Sequence, residues 1–107
     1  MLQVTFRHMD SSEALREIAQ EQVERLHVRA HGAERCHLVL DLVSNDPERR
    51  RHLFSAHVDI SFGFPDSLLH ASSVEEDAAS AVREAFASIE RQLTSLQQRH
   101  TSVSRAL

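Results

Sequence analysis

The chain has 107 residues, 41% hydrophobic and 26% charged, with twelve basic against sixteen acidic residues and a formal net charge of −4. That length bounds it to one domain with a single core, and the composition is that of an ordinary globule. No run of about 18 apolar residues is present to span a membrane, and MLQVTFRH is charged and polar where a signal peptide needs an apolar stretch, so the chain is expected in the cytoplasm.

Residues 2–7, LQVTFR, set Leu2, Val4 and Phe6 against Gln3, Thr5 and Arg7, the alternation of a half-buried strand. A helix follows over about residues 11–30, with Leu15, Ile18, Ala19, Val23 and Leu26 at helical spacing. Asp10 and Glu13 read as its capping box and Gly32 as its end. CHLVLDLVS, residues 36–44, alternates Cys36, Leu38, Leu40 and Leu42 against His37, Val39 and Asp41, and is a second strand. SNDP then marks a turn. LFSAHVDISF, residues 53–62, faces Phe54, Ala56, Val58 and Ile60 inward and Ser55, His57 and Asp59 outward, as a third strand antiparallel to the second. GFPD turns the chain into a short fourth strand over residues 67–72. The last helix is predicted from a Ser73/Glu76 capping box to about Arg99, with Ala78, Val82, Phe86, Ile89, Leu93 and Leu96 down one face. TSVSRAL has no periodicity, and the tail from about residue 100 is expected to fray.

The order β-α-β-β-β-α, with one apolar face per strand and one stripe per helix, predicts an α+β two-layer sandwich. Both helices lie on one face of a four-stranded, mainly antiparallel sheet. Gln3, Thr5, His37, Asp41, His57 and Asp59 then line a wet opposite face.

Few residues are arranged for catalysis. Two glycines cannot build a phosphate loop. Cys36, the single cysteine, reads as a buried thiol; as strand neighbours, it and His37 point to opposite faces and cannot act as nucleophile and base. Glu75, Glu76 and Asp77 fit a helix first turn, where the dipole favours them, better than acid/base work. The reading is therefore of a non-enzyme with no cofactor and no small-molecule substrate. His27 and His31 have the i,i+4 spacing of helical metal motifs, but no third ligand is evident, and histidines near a helix C-terminus have a sufficient electrostatic reason to be there. His37 and His57, as cross-strand neighbours, are either a metal pair or plain polar surface.

All twelve basic residues are arginine. Guanidinium groups contact phosphates in planar, bidentate fashion, although GC-rich codon usage yields the same composition. Arg49, Arg50 and Arg51 stand together in PERRRHL, and Arg25 and Arg29 share a helix face. Glutamates on the same helices, among them Glu21 at pairing distance from Arg25, and the net charge work against nonspecific nucleic-acid binding.

TFRHMDSSEALREIAQEQVERL and HASSVEEDAASAVREAFASIERQL resemble the two helical signatures of the ribosome hibernation promoting factor and ribosome-associated inhibitor family, also called sigma-54 modulation proteins. The resemblance spans nearly the whole chain and reads as the short form, without the C-terminal dimerisation domain of longer relatives. It implies a fold related to double-stranded RNA binding domains and a single ribosome-binding domain over residues 1–107. It also implies translation inhibition by occupying the mRNA and tRNA decoding channel of the small subunit. The partner implied is small-subunit rRNA, with no membrane partner, and the oligomeric state is left open. The sequence departs from the family where Gln22, Ser88, Ser95, Gln97 and Gln98 replace customary lysines. Arg25, Arg83, Arg91 and Arg99 remain as helix phosphate contacts, and Arg49, Arg50, Arg51 and His52 resemble in place and character the basic, His-rich stretch of some relatives. A diverged interaction module that has lost ribosome binding is the alternative.

Overall fold

The computed structural model describes residues 2–29, 33–48, 51–63 and 66–106. Its elements, in chain order, are β1 (Leu2–Arg7), α1 (Glu13–Arg29), β2 (Ala33–Asp46), β3 (Arg51–Gly63), β4 (Asp66–Glu75) and α2 (Ala78–Ala106). The four strands form one sheet in the order β1-β2-β3-β4. β1 runs parallel to β2, as a strand joined through a helix can, whereas the β2–β3 and β3–β4 pairs are antiparallel.

Alternation places one set of side chains under the helices. Cys36, Leu38 and Leu40 of β2, Ala56, Val58, Ile60 and Phe62 of β3, and Ala71 of β4 are buried with Ala19, Val23 and Leu26 of α1. Ala81, Val82, Ala85, Phe86, Ile89 and Leu93 of α2 complete the core, and Leu2, Val4, Phe6, Leu15, Ile18 and Leu69 pack at its margin. Both helices therefore cover one face, with α2 packed along β4 and β3 and against α1. Among the described residues no polar or charged side chain is buried, so the core is held by apolar burial alone.

The ends of the elements differ from the sequence expectation for local reasons. Ser12, rather than Asp10, caps α1: its Oγ accepts the Leu15 N–H at 3.2 Å, and Glu13 becomes the first helical residue. Before the cap the chain turns at His8, which holds φ 57° while its ring bonds the Asp41 carboxylate at 2.8 Å. β4 continues to Glu75 because Ser73, Val74 and Glu75 pair with Ala56, Ser55 and Phe54. Ladder pairing thus replaces the predicted Ser73/Glu76 box. Asp77 caps α2 instead, its Oδ2 accepting the Ser80 N–H at 2.8 Å and the Ser80 hydroxyl at 3.0 Å, and no acidic residue lies in the helix's first turn. α2 runs to Ala106, beyond the expected end near Arg99.

Candidate nucleic-acid interface

Of the arginines predicted to meet RNA, Arg25, Arg51, Arg83, Arg91 and Arg99 lie among the described residues. Arg25 on α1 and Arg83 on α2 line one groove between the helices, with Gln22, Ser80, Glu84, Ala87 and Glu90. Arg25 Nη2 is 3.7 Å from Glu90 Oε1 across that groove, so its partner is on the facing helix and not Glu21 one turn away. Arg83 and Arg91 are exposed and carry no ion pair among the described residues.

The three α2 arginines do not share a face. At about 100° per residue, each step of eight residues turns the side chain by about 80° while advancing about 12 Å. Arg83 faces the groove; Arg91 lies opposite the core stripe; Arg99 lies round toward the far flank, where its Nε donates to the Ser95 carbonyl at 3.4 Å. Arg83 and Arg99 thus stand on opposite flanks of α2, about 160° apart, with Arg91 between them on the outer side.

The β2–β3 end supplies the second group. Arg51 opens β3 and its Nε lies 3.4 Å from Glu76 Oε1, just ahead of the Asp77 cap. This exposed ion pair places the start of β3 beside the N-terminal end of α2, the same end as Ser80 and Arg83. His52 is exposed, its ring tilted 6.2 Å from that of Phe54. Arg49 and Arg50 lie outside the described residues, as does His31; of His27 only the helical backbone is described, so the predicted His27/His31 metal pair has no geometry here.

The open sheet face is built in rows. Gln3, His37, Asp59 and His70 are successive register partners across all four strands, and Thr5, Val39, His57 and Ser72 form the next row. His37 and His57 are therefore diagonal rather than directly opposed, and His37 instead shares a hydrogen bond with Thr5 Oγ1 at 2.9 Å. His57 Nε2 donates to Asp59 Oδ1 at 3.0 Å, and His70 Nδ1 donates to the same oxygen. Partial burial alone would raise the Asp59 pKa, but the His70 hydrogen bond, with the charge and hydrogen bond of His57, outweighs it and holds the carboxyl below its ordinary value. In the core, burial pushes the Cys36 thiol up to about 11.

His70, which shares the Asp59 carboxylate with His57, is the open-face residue that strand-by-strand reading missed. The β3 and β4 partners have residue numbers that sum to 129, which sets His70 against Asp59.

These features define an α+β domain with two helices on one side of a mixed sheet and, between them, a groove lined by both arginines and glutamates. The chain belongs to the Sigma 54 modulation protein / S30EA ribosomal protein family, which matches residues 2–101. Among solved structures, a ribosomal subunit interface protein from Coxiella burnetii superposes with a TM-score of 0.72 at 18% identity, covering 91% of this chain and 97% of that one. The N-terminal domain of Thermus thermophilus Protein Y gives 0.72 at 18% identity, covering 87% and 93%; at such identity both establish the shared fold. No curated protein sequence matches the chain. Among the described residues no helix is long and apolar enough to cross a membrane.

Proposed function

We propose that this chain is a non-enzymatic, cytoplasmic ribosome-binding domain that occupies the mRNA and tRNA decoding channel of the small subunit and blocks translation while the ribosome is stored. The observation that carries the reading is the family match from residue 2 to 101, with the subunit-interface role named for the Coxiella burnetii structure as support. The rRNA contacts are Arg25, Arg83 and Arg91 along the helix pair, Arg51 and His52 at the start of β3, and Arg99 on the far flank. Arg49 and Arg50, next to Arg51 in sequence, join this set.

Co-sedimentation with isolated small and large subunits across a salt series, together with inhibition of cell-free translation, tests the reading. The expected result is selective retention on the small subunit, displaced by mRNA and tRNA, with log affinity falling linearly with log salt. Absence of binding at low salt would leave the domain as a diverged protein-interaction module, a reading that the Arg25–Glu90 and Arg51–Glu76 ion pairs and the net charge of −4 favour.

A further inference from the structure

We propose that His57, Asp59 and His70 form a binding site for one divalent first-row transition-metal ion, Zn²⁺ foremost, with a coordination position left open toward solvent. The site is independent of the arginine surface and of the ribosome reading.

The donor set is two imidazoles and one carboxylate, which suits zinc and its neighbours and is poorly matched to magnesium or calcium, both of which favour all-oxygen shells. One ligand atom from each of the three residues lies within 4.8 Å of the others. Tetrahedral coordination with bonds of about 2.1 Å sets ligand atoms about 3.4 Å apart, so small rotations of three partly exposed side chains complete the shell. The ion takes the place of the two ring protons that Asp59 Oδ1 now accepts.

The backbone presents the three groups together for structural reasons. His57 and Asp59 are two apart on β3 and share the open face, and His70 is the direct partner of Asp59 on β4. The two rings lie 6.3 Å apart at 23°, leaving the carboxylate between their edges. His70 is also anchored from the other layer, since Gln92 of α2 donates to its carbonyl at 2.7 Å. Strand-borne ligands with such support hold their geometry better than loop ligands. His37, the partner of Asp59 on β2, is engaged with Thr5, so water fills the fourth position. A carboxyl group at an ordinary pKa is already ionised at neutral pH, as a ligand must be.

Calorimetric titration of the full chain with zinc chloride in a non-coordinating buffer at neutral pH is the test. Saturation at one ion per chain is expected, with affinity falling at least about tenfold in His70→Gln and in Asp59→Asn, since even the loss of an outer-shell partner costs that much. A His27→Gln/His31→Gln double variant should bind like wild type. Because an altered variant could lose affinity through misfolding, long-range ¹H–¹⁵N spectra of wild type provide a second readout: zinc should shift the ring nitrogens of His57 and His70. Equal affinity in wild type and both open-face variants, loss only in the His27/His31 variant, shifts confined to other histidines, or no saturation at millimolar zinc would each overturn the assignment.

Discussion

Cys36 is 4% exposed, in the middle of the β2 core face, and burial raises its thiol from an ordinary 9.0 to about 11. The thiolate is the charged form, so the folded state resists its formation. Below about pH 9 both folded and unfolded chains hold the proton, and the contribution to stability is fully present. Above that, the unfolded chain ionises first, and stability falls by about 2 to 3 kcal/mol until pH passes about 11. Composition makes the effect readable, because the chain has no lysine and no tyrosine, and arginine does not titrate in this range. Urea unfolding between pH 8.5 and 11 should show the decline, and Cys36→Ala should be less stable throughout but flat over the same range. A decline of equal size in the variant would place the titrating group elsewhere. The thiol should also resist alkylation in the folded protein.

At the scale of the element, α2 packs along β4 and β3 and against α1. Phe86 is the largest fully buried side chain, on the stripe that meets β3 and β4, so Phe86→Ala should cost about 3 to 5 kcal/mol. A loss well under about 1 kcal/mol in chemical denaturation would mean that the helix is turned differently, and its arginines with it. The start of the helix offers a finer test. Asp77→Ala removes an observed cap and should cost about 1 kcal/mol, whereas Ser73→Ala, inside a strand, should cost less than about half of that. Strand existence was legible from alternation, and the inward faces were read correctly from Leu38, Leu40, Ala56 and Val58. The caps were not legible, because SSVEED offers Ser73 and Asp77 as equally good N-cap residues, and only pairing with β3 decides between them. The β2–β3 register was hidden by a bulge: the pairs near the turn sum to 97 and those in the core to 96, with the irregularity between Leu42 and Ser44 absorbing the difference. Val43, the extra residue, is left 51% exposed. The disposition of the arginines was likewise not legible, since helical phase separates Arg99 from Arg83 and packing pairs Arg25 with Glu90 rather than Glu21.

For the whole molecule, the proposed binding asks a chain of net charge −4 to hold a polyanion. The Cα extents of 60 × 24 × 16 Å describe a body long enough to lay separated arginines along an RNA backbone, but two of those arginines are engaged by glutamates. Exposed ion pairs of this kind contribute about 0 to 1 kcal/mol, so Glu76 and Glu90 are inexpensive for a phosphate to displace. Removing a true phosphate contact reduces the number of counterions released, so Arg25→Ala and Arg83→Ala should each weaken small-subunit binding and flatten the log–log salt slope by about 1. The Arg49→Ala/Arg50→Ala/Arg51→Ala triple variant should flatten it further, with thermal stability barely changed. Glu90→Gln discriminates best, because its effect has the opposite sign. It removes a negative charge 3.7 Å from Arg25 and frees the guanidinium before RNA arrives, so affinity for the small subunit should rise while folding stability changes by less than about 1 kcal/mol. In an Arg25→Ala background the same substitution should gain much less, since most of its benefit passes through that guanidinium. Binding measured at one fixed ionic strength for the four proteins of this cycle reads the coupling directly. Equal gains from Glu90→Gln with and without Arg25 would show that the groove attracts RNA only through general charge, and would remove Arg25 from the contact surface.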